Sequence, residues 1–116
     1  MKELKWDRAR FLREIDYDLE TAQELISLFL SSSSLLLEAM EKALSENDFS
    51  LLSEKAHSLK GAAATLFLEE IRQEALALER ERQPEHALRR LSRLRALCEI
   101  FQKQIEERPL SKVLGV

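Results

Sequence analysis

Apolar residues recur along this chain at spacings of three and four, the mark of helices that bury one face. Leu4, Phe11, Leu12 and Ile15, with Trp6 and Asp7 near the start, predict a short amphipathic helix lying across the rest. Asp16 or Asp18 can cap the next helix by accepting from its free amides. There Ala22, Leu25, Ile26, Phe29, Leu36, Met40 and Ala43 predict a long helix to about Leu44. The four serines at 31–34 change its composition but not the phase of its stripe, so they read as helical. Ser45-Glu46-Asn47-Asp48 is a short connection, with Asn47 or Asp48 as the following cap. A link this short makes the helices on either side antiparallel neighbours.

Phe49, Leu52, Ala56, Leu59, Ala63 and Leu66 then mark one face of a helix to about Leu66. A break is expected near Phe67, because Leu68, Ile71, Ala75 and Leu78 resume the spacing behind the acidic pair Glu69 and Glu70, which suits a helix N-terminus. The polar stretch 79–84 ends in proline and reads as a turn. Leu88, Leu91, Leu94, Cys98, Phe101 and Ile105 share a face of the last helix, which should stop before Pro109. Residues 110–116 read as a loose tail.

Composition agrees with the pattern. A chain of 116 residues, 45% apolar and 34% charged, with only two glycines and two prolines, suits one all-α domain with short connections. The expected architecture over 1–116 is an antiparallel, up-down four-helix bundle with a short additional N-terminal helix. The net charge of −3 gives no reason to expect nucleic acid as a partner. No apolar run approaches the roughly 18 residues of a membrane span, and the N-terminus lacks a signal-peptide core, so a cytoplasmic protein is expected. The sequence begins with methionine and ends shortly after its last helix, which favours a free-standing protein.

Two histidines almost thirty residues apart and a single cysteine offer no zinc-site spacing and no intrachain disulfide. Cys98, on an apolar face, reads as a buried, inert thiol. There is no glycine-rich phosphate loop and no nucleophile elbow, so nucleotide hydrolysis is not expected. Arg89, Arg90, Arg93 and Arg95 read first as a solvated face among glutamates and second as a contact for an acidic partner. His86 reads as an ordinary exposed histidine.

His57 stands apart. At about 100° per residue it points roughly 130° from the centre of its helix's apolar stripe. Its neighbours one or two turns away, Ser53, Gly61 and Ala64, are small, and Lys60 lies close on the same surface at i+3. A mid-helix glycine costs about 1 kcal/mol relative to alanine. Its simplest compensation is steric, since a bulky tetrahedral group then has room at the ring and Lys60 can supply charge to a phosphoryl group. On the long second helix, Leu28 and Leu35 fall roughly 100° to one side of the core stripe and Leu30 and Leu37 a similar angle to the other. The breadth fits a helix with two neighbours, or one side is a docking surface.

The string His57-Ser58-Leu59-Lys60-Gly61 resembles the signature of histidine-containing phosphotransfer (HPt) domains. The stretch from Asp18 through Leu25 with Leu28-Phe29-Leu30 is similar to the family's long second helix, and Asn47-Asp48-Phe49 to its lead-in; the resemblance covers roughly residues 10–80. It departs at Phe67, where many members have glycine. The resemblance implies a stoichiometric phosphoryl carrier without kinase activity of its own. His57 would accept through Nε2 from the phospho-aspartate of a response-regulator receiver domain and pass the group to another. Lys60 would offset phosphoryl charge and Gly61 leave access; by their place on the helices, Ser53 and Ala64, with Leu28 and Leu35 or else Leu30 and Leu37, are the expected partner contacts. No cofactor is implied, with magnesium expected only in the receiver, and a hybrid histidine kinase is a further partner. A monomer without membrane attachment is expected. Two alternatives remain: a helical adaptor that no longer carries phosphate, and the HPt domain of a larger histidine kinase.

Overall fold

The structure, a computed structural model, describes residues 4–110. All five regular elements among them are α-helices: α1 (Arg8–Glu14), α2 (Leu19–Ser45), α3 (Phe49–Thr65), α4 (Glu69–Arg80) and α5 (Pro84–Glu107). Aspartate opens the first three. The carboxylates of Asp7, Asp18 and Asp48 accept from the amides of Arg10, Thr21 and Leu51, satisfying donors that a helix start leaves free. Pro84 opens α5 at a position where no amide is needed.

The four longer helices close a ring of contacts, α2 on α3, α3 on α4, α4 on α5 and α5 on α2. The N-terminal segment is tied across the end where α3 gives way to α4 and where α5 finishes. Trp6 Nε1 donates to the Leu66 carbonyl at 2.7 Å, and the Lys5 amide donates to Glu70 Oε1 at 2.7 Å. The Leu4 amide donates to Gln104 Oε1. Below this strap, Phe101 meets Trp6 edge-on at 5.1 Å and Phe29 edge-on at 5.7 Å, joining the N-terminal segment, α5 and α2 in one aromatic core.

The first three helices end with the same pair of backbone bonds, although α1 is followed by a second left-handed residue, Tyr17 (φ 58°). After α3 the Phe67 amide donates to Ala64 and the Leu68 amide to Ala63, the paired bonds of a Schellman ending that require a left-handed residue between them. After α1 and α2 that residue is Asp16 (φ 54°) and Asn47 (φ 55°); after α3 it is Phe67 (φ 59°). Aspartate and asparagine tolerate this region, whereas phenylalanine costs roughly 1–2 kcal/mol there. What holds Phe67 is its partly buried ring, packed against the core with the Arg10 guanidinium 4.8 Å from its centroid. The expected break is thus made without glycine. Because Phe67→Gly and Phe67→Ala both lose the ring but only glycine relieves the backbone, the glycine variant should be the more stable of the two. The expected difference is about 1 kcal/mol in chemical denaturation.

The stripes turn slightly from their expected positions. On α2, Ser33 and Leu37 are buried while Leu25 and Leu36 are only partly so; Ser33 tolerates burial because its hydroxyl donates back to the Leu30 carbonyl at 3.1 Å. On α5, Ala87 and Leu97 enter the core, and Leu88, expected inside, is 59% exposed. The small Ala87 is fully buried where α5 meets the core, and a helix that turns Ala87 inward carries its neighbour Leu88 outward. The expected turn at 79–84 is shorter, since α4 continues through Glu79 and Arg80. Leu110 is buried rather than loose, and the rest of the expected tail lies outside the described residues.

Candidate functional site

Helix α3 buries Leu52, Ala56, Leu59 and Ala63 and so turns His57 outward, its side chain 66% exposed. Its position is set from α4. Glu79 Oε2 lies 3.0 Å from His57 Nδ1, and Oε1 lies 2.8 Å from Lys60 Nζ, so one carboxylate gathers both groups. Ser53 fixes the height of that carboxylate, because its hydroxyl donates to the Glu79 backbone carbonyl at 2.9 Å. Ser53 is half-buried, and its contribution is this tie between α3 and α4 rather than a bare surface.

The charges reinforce one another. Lys60 foremost, and His57 after it, hold the Glu79 carboxyl below the usual carboxylate range, against the opposing effect of burial. With a lowered folded pKa, the stabilisation Glu79 contributes is present above the ordinary carboxylate pKa of about 4.3 and is lost as pH falls through the lowered value. The bridge therefore stands at neutral pH and opens only in acid. His57 Nε2, by contrast, has no partner among the described residues.

Gly61 and Ala64 are exposed one turn and two turns on. A Cβ built on Gly61 would meet nothing within 4 Å. Nothing among the described residues therefore requires glycine there. Leu28 and Leu35 are 63% and 68% exposed on α2. The other pair considered for docking is taken up by the fold, with Leu37 buried and Leu30 partly buried against the core.

Elsewhere, His86 is exposed, 3.8 Å from Glu81. Burial pushes the Cys98 thiol up to about 12. Among the described residues no group of three or more His, Cys, Asp or Glu side chains could hold a metal ion, and no helix is long and apolar enough to cross a membrane.

Glu79 is the residue that spacing along the chain does not reveal. It lies 22 residues from His57 and reads as part of a polar turn. One signal was present: a carboxylate in the last turn of a helix opposes the macrodipole unless a cation answers it.

The fold thus turns an exposed, carboxylate-braced histidine to solvent beside a lysine and a glycine. The model of the Hpt domain family matches residues 24–108, most of the chain, and the protein belongs to that family. No curated protein and no solved structure matches it.

Proposed function

We propose that this protein is a phosphorelay carrier: His57 accepts a phosphoryl group from the phospho-aspartate of one receiver domain and surrenders it to another. The observation that carries the reading is the state of the imidazole, exposed, with Nδ1 engaged by Glu79 and Nε2 unengaged. A proton held on Nδ1 by Glu79 leaves the lone pair on Nε2. In the transfer Nε2 forms a bond to phosphorus, the acyl-phosphate P–O bond breaks, and the receiver's aspartate leaves as carboxylate. The ring becomes cationic as the N–P bond forms, and the Glu79 carboxylate at 3.0 Å is placed to stabilise that charge. Lys60 would turn part of its charge to the phosphoryl oxygens, and Gly61 leaves them room. Such transfer depends mainly on positioning and electrostatics.

The domain supplies no nucleotide chemistry in this reading and acts as a stoichiometric carrier, with magnesium in the receiver's acidic pocket. The supporting architecture is an antiparallel four-helix bundle with α1 across one end, a reading favoured by the ring of helix contacts and the short connections. A cytoplasmic monomer is its natural setting.

The test is direct. On mixing with each phosphorylated receiver of the source organism, or with phosphoramidate, the chain should take up one acid-labile phosphoryl group on His57. A chain that stays unlabelled with every donor would instead be the helical adaptor. Glu79→Ala frees the ring and should slow acceptance by between about 10- and 100-fold, since small misplacements of a reacting group cost that much. An unchanged single-turnover rate would remove Glu79 from the mechanism.

Leu28 and Leu35 are the proposed apolar part of the receiver contact. Full burial of a leucine contributes about 1.5–3 kcal/mol. The Leu28→Ser/Leu35→Ser double variant should therefore bind a receiver at least about tenfold more weakly with an unshifted melting temperature. Equal affinity would assign these leucines no part in docking.

A further inference from the structure

From Arg80 to Arg95 the sequence carries six arginines and only two glutamates, in a chain of net charge −3. The fold accounts for half of them. Arg90 lies 3.2 Å from Glu81 and 3.4 Å from Glu74, Arg93 lies 3.4 Å from Glu74, and Arg95 pairs with Glu41. These contacts tie α5 to α4 and α2. Arg80, Arg82 and Arg89 are exposed and have no carboxylate partner among the described residues. Arg82 instead donates to the backbone carbonyls of Glu79, at 3.1 Å, and Glu81, at 2.8 Å.

The surplus charge is continuous with the histidine site. Glu79 is the residue whose carboxylate holds His57 and Lys60, and Arg82 grips its carbonyl. From there the positive surface passes by the α4–α5 turn to a cleft lined by His86, Arg89, Arg90 and Arg93, with Glu74 as its only acid. Glu74 is shared between Arg90 and Arg93, and Glu81 adds a second contact to Arg90, so these two carboxylates leave Arg89 in the cleft uncompensated. Packing and pairing explain Arg90, Arg93 and Arg95. They leave Arg89 without a carboxylate partner among the described residues, and Arg80 with only the charge it offers the C-terminal end of α4.

We infer that this arginine ridge, centred on Arg80, Arg82 and Arg89, steers a carboxylate-rich face of the receiver domain toward His57. The inference rests on the carrier reading, in which the partner presents an acidic, magnesium-holding pocket to the imidazole. Exposed charges of this kind act chiefly on encounter: they raise association rates by about 10- to 1,000-fold and lose that effect as salt shortens their reach below about 8 Å. The apolar contact of Leu28 and Leu35 would then govern how long the complex lasts, and the ridge how quickly it forms.

The experiment measures association of the unphosphorylated chain with the tightest-binding receiver of the source organism across a salt series. Loading of His57 by phosphoramidate is followed in parallel. Arg80→Glu/Arg89→Glu is compared with Arg13→Glu/Lys103→Glu, which changes net charge equally at exposed positions of α1 and the C-terminal part of α5. The ridge variant should associate about tenfold more slowly at low salt and show a flatter salt dependence, with the control within about twofold of the parent chain. Equal slowing in both variants, slowing in neither, or no receiver that binds at all would each overturn the inference. Loading separates it from the carrier reading. A parent chain that phosphoramidate and phosphorylated receivers leave unlabelled ends the carrier proposal, and the association rates still decide the ridge.

Discussion

Replacing His57 by glutamine is expected to abolish phosphoryl acceptance and leave the fold intact. The side chain is 66% exposed and contributes little to the core, so stability should change by less than about 0.5 kcal/mol. Glutamine can also keep a hydrogen bond to Glu79, because its amide donates where the ring Nδ1–H did. What it lacks is a nucleophilic nitrogen, the amide lone pair being delocalised into the carbonyl. Label from a phosphorylated receiver should therefore fall to background while the circular dichroism spectrum and melting temperature match those of the parent. Label that survives in an acid-labile form would place the phosphoryl group on the other imidazole, His86, and the assignment of His57 would be wrong.

The largest loss of stability should come from Phe101→Ala. Phe101 is fully buried, and its ring meets both Trp6 and Phe29 edge-on. Truncation removes that contact area and leaves a cavity which three separate elements would have to shift to fill. Such substitutions cost about 3–5 kcal/mol, a large share of the roughly 5–15 kcal/mol that keeps a domain folded. At this chain length the melting temperature should fall by more than about 10 °C. The strap holding the N-terminal segment should loosen as well, since Trp6 loses the ring it stands on while keeping its bond to Leu66. A cost under about 1 kcal/mol would mean that the core closes around the gap, contrary to the packing described.

Much of the fold could be read along the chain because its signals are local. A stripe at helical spacing, an aspartate before it and a short polar link after it fix where a helix lies. These carry α2 and α3 to within about one residue of their observed ends. His57 was legible for the same reason, since its direction follows from the turn angle of its own helix. What could not be read depends on two helices at once. Glu79 meets His57 and Lys60 only through the register of α3 against α4, which the Phe67 turn sets. Leu88 and Ala87 are adjacent, and which of them faces inward depends on how closely α5 approaches α2 and α4. Ser33 is polar by type and reaches the core because a back-bond to Leu30 satisfies its hydroxyl. Phe67 carries no local mark of a left-handed turn; its ring holds that conformation by packing against partners distant in sequence.

The burial of Cys98 has a practical consequence. With burial pushing its thiol up to about 12, almost none of it is thiolate at neutral pH, the form that maleimides and iodoacetamides attack. A cysteine introduced on an exposed position would then be the only site such reagents label at a useful rate. Fluorophores or spin labels could be placed beside Leu35 or Arg89 without first removing the native sulfur, and the approach of a partner followed in real time on an otherwise unaltered chain.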